Sequence, residues 1–424
     1  MSAPSPNTKD PLTLMAMWGS MRGYDPEQGF SFEGPEKRLE IIVRFLDETN
    51  KDGFFSYEDE AWETVVGALN AQIVSREKNE HIKSYVLTES SLFVMKNKII
   101  LITCGTTTLL MSVPHILELI SCMRAELEWV SFMHKNYSFP WEQKGPHTSL
   151  AEEFNHLKAH FPTGRPYILG PVDSDHYFFF CYDDIIRNSS QPDTAYETDA
   201  QLSMTMYGLD PNQTRYWFSD KYECTNEVTA SIREHTHLNQ LFPADEGWKL
   251  HDLQFEPCGY SINSINGANY QTIHITPESH CSFASYETNK DATNYFATVR
   301  NVLRVFRPQR FTVIVMVDPF SKIGKAFHDG QRIGVEPVYF TAGAHVERLA
   351  GGEEAETDGD AFIDYCVLHR TVNEFTPGYA AMKTNYILRS ALEDARAAAA
   401  QKAAATTVAD DGAKPAAVEK EGDA

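Results

Sequence analysis

Strand-length apolar runs come in this chain as close pairs, and that spacing limits the fold more than any other feature. Residues 91–94 and 99–104 are separated only by Met95-Lys96-Asn97-Lys98, and residues 271–276 and 281–288 only by 277–280. Four residues cannot carry a crossover helix, so such neighbours must run antiparallel. Residues 311–317 read as a further strand, rich in β-branched side chains. By contrast, 294–306 repeats Phe296, Val299, Leu303 and Phe306 at helical spacing, and 39–46 also reads as helix. The pattern predicts an α+β protein built on antiparallel sheets rather than a doubly wound parallel one. No internal repeat period is visible.

Charge narrows the partners. The chain carries 37 Lys+Arg against 59 Asp+Glu, a net −22 with His neutral, a field that repels phosphate backbones and anionic lipid. We therefore expect neither nucleic acid nor membrane as a partner. The longest apolar run, 99–113, is broken by Thr106, Thr107 and Thr108 and is too short to span a bilayer. Residues 1–11 lack the basic start and apolar stretch of a secretory signal. Seven cysteines without a CxxC pair fit reduced thiols in the cytoplasm better than a disulfide framework or a metal site. Residues 1–28 read as a mobile lead-in, 29–390 as the folded domain, and 391–424 as an alanine-rich acidic tail, disordered once a helix running out of Leu392 frays.

Familiar motifs are scarce. No GxGxxG or P-loop signature occurs. Residues 48–59 place oxygen ligands and Gly53 at the spacing of a calcium loop, but the loop opens with Glu48 and closes with Asp59, too short to chelate with both oxygens. An acidic surface turn is the better reading, and an acidic calcium-binding protein is the weaker rival for the chain as a whole.

The informative segment is Tyr85-Val86-Leu87-Thr88-Glu89-Ser90-Ser91-Leu92-Phe93-Val94, a Glu-Ser-Ser triplet between apolar residues. Alone it would be a hydroxyl-rich turn satisfying its own backbone. Three more segments accompany it: Phe32-Glu33-Gly34-Pro35-Glu36-Lys37; Thr103-Cys104-Gly105-Thr106-Thr107; and Phe255-Glu256-Pro257-Cys258-Gly259-Tyr260-Ser261, which leads to Thr272-Ile273-His274-Ile275-Thr276-Pro277-Glu278. In this order, from about Phe32 to Met316, they resemble the eukaryotic S-adenosylmethionine decarboxylase family.

That resemblance implies a four-layer α/β/β/α sandwich with two central antiparallel sheets. It also implies a proenzyme that breaks itself between Glu89 and Ser90. The Ser90 hydroxyl attacks the preceding carbonyl, a step favoured by a strained peptide. The resulting ester eliminates, and Ser90 becomes a pyruvoyl group, the covalent cofactor. The pyruvoyl group forms a Schiff base with S-adenosylmethionine and accepts the electrons released with carbon dioxide. The decarboxylated product donates aminopropyl groups for spermidine and spermine.

Roles follow by resemblance. His274 matches the processing base, which needs a pKa near neutrality, and Ser261 the hydroxyl that stabilises the acyl-shift intermediate. Cys104 matches the proton donor to the substrate carbon. Phe32 and Phe255 match the adenine sandwich, Glu278 the ribose carboxylate, Glu89 a substrate-binding position, and Glu33 and Glu36 acidic residues needed near the cationic sulfonium. Glu40, Asp199 and Glu287 keep three positions of the family's putrescine site, whereas Gln201, Ser203 and Ile102 depart from it. Arg38 falls where plant members carry a basic residue that imitates the diamine. Putrescine is thus expected to be at most a weak activator. A homodimer of two-chain units is the expected assembly. The alternative is a non-catalytic regulatory paralogue of the same fold; it would have lost Ser90, His274 or Cys104, and all three are present.

Overall fold

The structure, a computed structural model, describes residues 33–46, 52–183, 200–219, 225–318, 321–333, 365–376 and 379–411. Sixteen strands form two eight-stranded sheets. The first holds β1 (Lys37–Phe45), β2 (Ile73–Lys78), β3 (Lys83–Leu87), β4 (Ser90–Val94), β5 (Lys98–Thr103), β6 (Ala125–Lys135), β7 (Arg165–Leu169) and β8 (Tyr177–Asp183). The second holds β9 (Gln201–Tyr207), β10 (Lys249–Gln254), β11 (Tyr260–Asn266), β12 (Asn269–Thr276), β13 (Phe283–Thr288), β14 (Arg310–Val317), β15 (Tyr365–Thr376) and β16 (Tyr379–Leu388). Both expected hairpins are present as β4–β5 and β12–β13, and 311–317 lies within β14.

The strand order is β2-β3-β4-β5-β1-β6-β8-β7 in the first sheet and β10-β11-β12-β13-β9-β14-β16-β15 in the second. Raising each number of the first by eight gives the second, so the chain builds one topology twice. The sequence conceals this because a strand constrains only which residues alternate inward and outward, not their identities.

Alternation sorts each sheet into two faces. Leu39, Ile41 and Val43 on β1, with Leu92, Val94 and Leu101, pack outward against α1 (Asp59–Ala68), α2 (Val113–Cys122) and α3 (Leu150–His160). On the second sheet, Ile273, Val313 and Val315 pack outward against α4 (Asn226–His235) and α5 (Phe296–Phe306). Between the sheets, Phe93, Ile100 and Ile102 meet Ile265 and Tyr270, and Met133 and Phe179 meet Ile314 and Met316. The result is the four-layer α/β/β/α sandwich.

Two expectations are corrected. Residues 39–46 are not helix: β1 is a central strand, and because Ile42 interrupts its polar face, Leu39, Ile42, Val43 and Leu46 mimic helical spacing. The tail, expected to be disordered, is helical as far as Asp411 in α6 (Arg389–Asp411), and 412–424 lie outside the described residues. The lead-in 1–28 lies outside the described residues, as does part of the acidic loop at 48–59. Within that loop, Asp59 accepts from Tyr85 and pairs with Arg76 at 3.1 Å. Among the described residues no cluster of metal-ligating side chains occurs and no helix is long and apolar enough to cross a membrane.

Candidate active site

The Glu-Ser-Ser triplet lies at a tight hairpin. β3 pairs with β4 so that Leu87 stands opposite Ser90, leaving Thr88 and Glu89 as the turn. Ser90 is buried and has a φ of 109°, a conformation normally left to glycine. Holding an L-residue there costs about 1–3 kcal/mol, stored next to the Glu89–Ser90 peptide. A backbone conformation unfavourable to an L-residue thus adjoins the Glu89–Ser90 peptide.

β5 and β1 bring further groups to this peptide. Ser90 pairs with Thr103, the last residue of β5, so Cys104 follows directly beside the turn. The Cys104 N–H donates to the Glu89 carbonyl oxygen at 3.2 Å, and the Cys104 thiol lies 3.8 Å from the Glu89 carboxylate. Glu36, immediately before β1, accepts from the Ser90 hydroxyl at 3.2 Å. The carbonyl to be attacked thus carries a backbone donor of the kind that stabilises developing negative charge on oxygen.

The second sheet supplies the imidazole. Ser261 on β11 and His274 on β12 stand directly opposite, with Ser261 Oγ 2.8 Å from Nδ1. Nε2 faces Ser91 Oγ at 3.0 Å and Thr272 Oγ1 at 2.9 Å, with Glu36 Oε1 at 3.9 Å. Both of those hydroxyls donate to Asn263 Oδ1, at 2.8 and 2.7 Å, while Asn263 Nδ2 donates to the Tyr85 carbonyl. With their protons committed to Asn263, Ser91 and Thr272 can only accept from Nε2. This network assigns the imidazole proton to Nε2 and the lone pair to Nδ1, facing Ser261.

Ser91, Thr272 and Asn263 were not singled out from the sequence. Their signal was there: 261 with 263, and 272 with 274, are spaced by two on adjacent strands and must share a face.

Burial sets the electrostatics. It raises the Glu36 carboxyl from 4.5 to about 8, assisted by the nearby Glu287 carboxylate. The same burial lowers His274 to about 3, against the near-neutral value expected for a base. The reason is that the acid nearest to Nε2, Glu36, is itself uncharged at neutral pH and cannot hold an imidazolium. His274 is therefore a free base throughout the physiological range. Burial, with the Glu89 carboxylate, pushes the Cys104 thiol up, so it keeps its proton. Glu89 is also raised by burial.

Two further predicted residues, Phe255 and Glu278, lie on the loops that follow β10 and β12. Glu278 has a buried Oε2 without a hydrogen-bond partner among the described residues, and its carboxylate adds to burial in raising the neighbouring Cys258 thiol. Cys258 lies in the turn that begins at Phe255, whose N–H donates to the Gly259 carbonyl at 3.0 Å. Glu33 is committed elsewhere: its carboxylate accepts the backbone N–H groups of Ser138 and Phe139 at 3.0 and 2.7 Å. Phe32 and Asp199 lie outside the described residues.

The acidic remnant is occupied from within. Arg38 pairs with Glu40 at 2.8 Å and Glu287 at 2.9 Å, all three buried. Glu287 also accepts from Ser203, Gln201 and Tyr270.

A strained peptide before a buried serine, with its carbonyl held and a neutral imidazole and a protonated thiol nearby, defines a class: chains that cut themselves at serine and keep the new terminus as the reactive group. Comparison with known proteins agrees. A family model described as adenosylmethionine decarboxylase matches residues 29–386. An S-adenosylmethionine decarboxylase proenzyme of Leishmania donovani is 64% identical over 93% of this chain and 96% of that protein. One from Zea mays is 34% identical over 77% and 81%. The crystallographic Trypanosoma brucei AdoMetDC-delta26 monomer shares 53% identity, with a TM-score of 0.52, over 70% of this chain and 99% of that one. The chain belongs to the adenosylmethionine decarboxylase family. Its members are pyruvoyl-dependent lyases made as self-processing proenzymes, and decarboxylation of S-adenosylmethionine for polyamine synthesis is the activity that membership carries.

Proposed function

We propose that Ser90 and its neighbours carry out the family reaction in two stages. In the first, the Ser90 hydroxyl attacks the Glu89 carbonyl while the Cys104 N–H holds the oxygen that gains negative charge, and relief of the Ser90 backbone favours collapse to the ester. The observation that carries this reading is the pairing of a φ of 109° at Ser90 with the 3.2 Å contact on the carbonyl just before it. For this step His274 takes the tautomer with its proton on Nδ1: it donates to Ser261 Oγ, which frees the Ser261 proton to stabilise the intermediate, and the Nε2 lone pair takes the serine α-proton so that the chain ending at Glu89 departs. The fit of a pyruvoyl group is a matter of place: Ser90, its source, is buried beside groups that are uncharged at neutral pH.

In the second stage the pyruvoyl group supplies an electron sink for the carboxylate's departure. Cys104, protonated, returns a proton to the substrate carbon. Phe255 with Phe32 holds the adenine, Glu278 the ribose, and Glu89 faces the sulfonium, Glu33 being held by the Ser138 and Phe139 N–H groups and Glu36 being uncharged at neutral pH.

His274→Ala tests the first stage. It should stop at the ester, so hydroxylamine should split the accumulated chain at position 89; normal processing would remove His274 from the role.

Arg38 stands in for the diamine between Glu40 and Glu287, so millimolar putrescine should change turnover by less than about twofold. A large rise would contradict this. The free thiols of Cys104, Cys122, Cys181, Cys258 and Cys366 support a reducing, cytoplasmic setting. A homodimer of two-chain units would join through an edge strand such as β7 or β15, whereas the solved Trypanosoma brucei relative is a monomer.

A further inference from the structure

The groups named above reach Ser90 along its own hairpin or from between the sheets. On the other side of the first sheet lies a buried cation that those roles do not use. Lys37 has 0% exposure. It pairs with Thr103 in the β1–β5 register, so both leave the sheet on the face of Leu39 and Leu101, toward the helices. Its ammonium donates to the Gly105 carbonyl at 2.9 Å and to Gln143 Oε1 at 3.3 Å, and it lies 5.5 Å from the centre of the Tyr137 ring.

Among the described residues no carboxylate comes within ion-pair distance of this ammonium. Burial lowers it to about 8, and the carboxylates of Glu33, Glu153 and Glu89 act against that at longer range. It remains a cation at neutral pH. A buried ammonium with only neutral oxygens as direct partners is costly to the fold, and such groups concentrate at functional sites.

What the ammonium grips is the residue after Cys104. Gly105 has a φ of 62°, and its N–H is held by the Glu33 carbonyl at 2.8 Å. The Glu33 side chain is fixed in turn by the backbone at Ser138 and Phe139. The turn therefore has an anchor on its N–H side and Lys37 on its carbonyl side. Freed on the carbonyl side, the turn would carry with it both the Cys104 N–H, 3.2 Å from the Glu89 carbonyl oxygen, and the Cys104 thiol.

We propose that Lys37 is a positioning residue for both stages of the reaction. Its grip on the Gly105 carbonyl sets the Cys104–Gly105 turn, and through it the backbone donor for chain cleavage and the thiol for proton return. The proposal rests on the decarboxylase reading above.

Lys37→Met keeps the length and removes the charge and the donors. Self-cleavage of the full chain is followed by denaturing mass spectrometry, and the cleaved fraction is assayed for carbon dioxide release across S-adenosylmethionine concentrations. Cleavage should slow about tenfold or more, and kcat of the cleaved fraction should fall by a similar factor, because small misplacements of reacting groups are costly. KM should stay within about threefold, since Lys37 does not reach the substrate.

Should Lys37→Met fail to fold, Gln143→Ala carries the test. It removes one acceptor of Lys37 and a 3.4 Å donor to Gly105, and should slow cleavage about threefold with KM unchanged. Parent-like cleavage and kcat in folded Lys37→Met, or parent-like cleavage in Gln143→Ala where that variant must be used, would overturn the proposal. A raised KM with unchanged kcat would also overturn it, placing Lys37 in substrate binding. A parent chain that never divides would instead refute the decarboxylase reading and this proposal with it.

Discussion

The two sheets contain the same hairpin in the same place, and only one of them is built to break. β3–β4 turns through Thr88 and Glu89, and β11–β12 turns through Gly267 and Ala268. In the second, the positive φ of 56° falls on Gly267, which tolerates it, in open surroundings. In the first, it falls on Ser90, buried and surrounded by Glu36, Cys104 and Glu89. A positive φ is thus harmless on glycine inside an open turn and costly on a buried serine that opens the following strand. The two residues differ in place as well as in side chain, and only Ser90 follows a carbonyl that accepts from the Cys104 N–H.

The largest expected effect comes from removing that side chain. Ser90→Ala should abolish self-cleavage and leave one intact, inactive chain on a denaturing gel; two fragments would refute the assignment. In that uncleavable background, Glu36 tests how dry the reactive hairpin is. An acid whose pKa is raised in the fold contributes stability that is intact below its ordinary 4.5 and is lost as pH climbs through about 8. Replacing it by neutral glutamine should therefore change urea stability little near pH 4.5 and raise it at pH 8, by on the order of a few kcal/mol. Equal stability of Glu36→Gln and its parent at pH 8 would mean that the carboxylate is solvated.

Smaller effects sharpen the contrast between the hairpins. Ser90→Gly should be more stable than Ser90→Ala by about 1–2 kcal/mol, because glycine accepts the positive φ. No difference in urea midpoint would remove the strain from the account. Gly267→Ala, the same change in the other hairpin, should cost about 1 kcal/mol and leave self-cleavage at the parent rate. Slowed cleavage in this variant would show that the two hairpins are coupled.

Much of this was legible in the sequence, and the exceptions have physical causes. Paired strand runs announced antiparallel sheets because a short connection permits nothing else. β1 was misread because Ile42 interrupts the polar face of Arg38, Glu40 and Arg44, and Leu39, Ile42, Val43 and Leu46 then fall at helical spacing. Ser90, Cys104, Ser261 and His274 were recognisable by motif, and the structure brings all four to one place. Ser91, Thr272 and Asn263 were not recognised because hydroxyls and amides on strands are common, and only the register of β11 and β12 reveals that they commit the imidazole proton to Nε2. The low pKa of His274 could not be read from residue types at all. It follows from burial beside a carboxyl that burial has also neutralised. The topological repeat escaped for a different reason: strand order leaves no trace in residue identity.

The central claim is that the Glu89–Ser90 bond breaks by the chain's own chemistry and leaves a reactive terminus at position 90. Intact mass of the purified protein under denaturing conditions tests it most directly. The account predicts two chains, one ending at Glu89 and one beginning at position 90 with the mass of a blocked pyruvoyl terminus. A single uncleaved chain, unchanged on incubation with or without putrescine, would contradict it and favour a regulatory paralogue of the same fold.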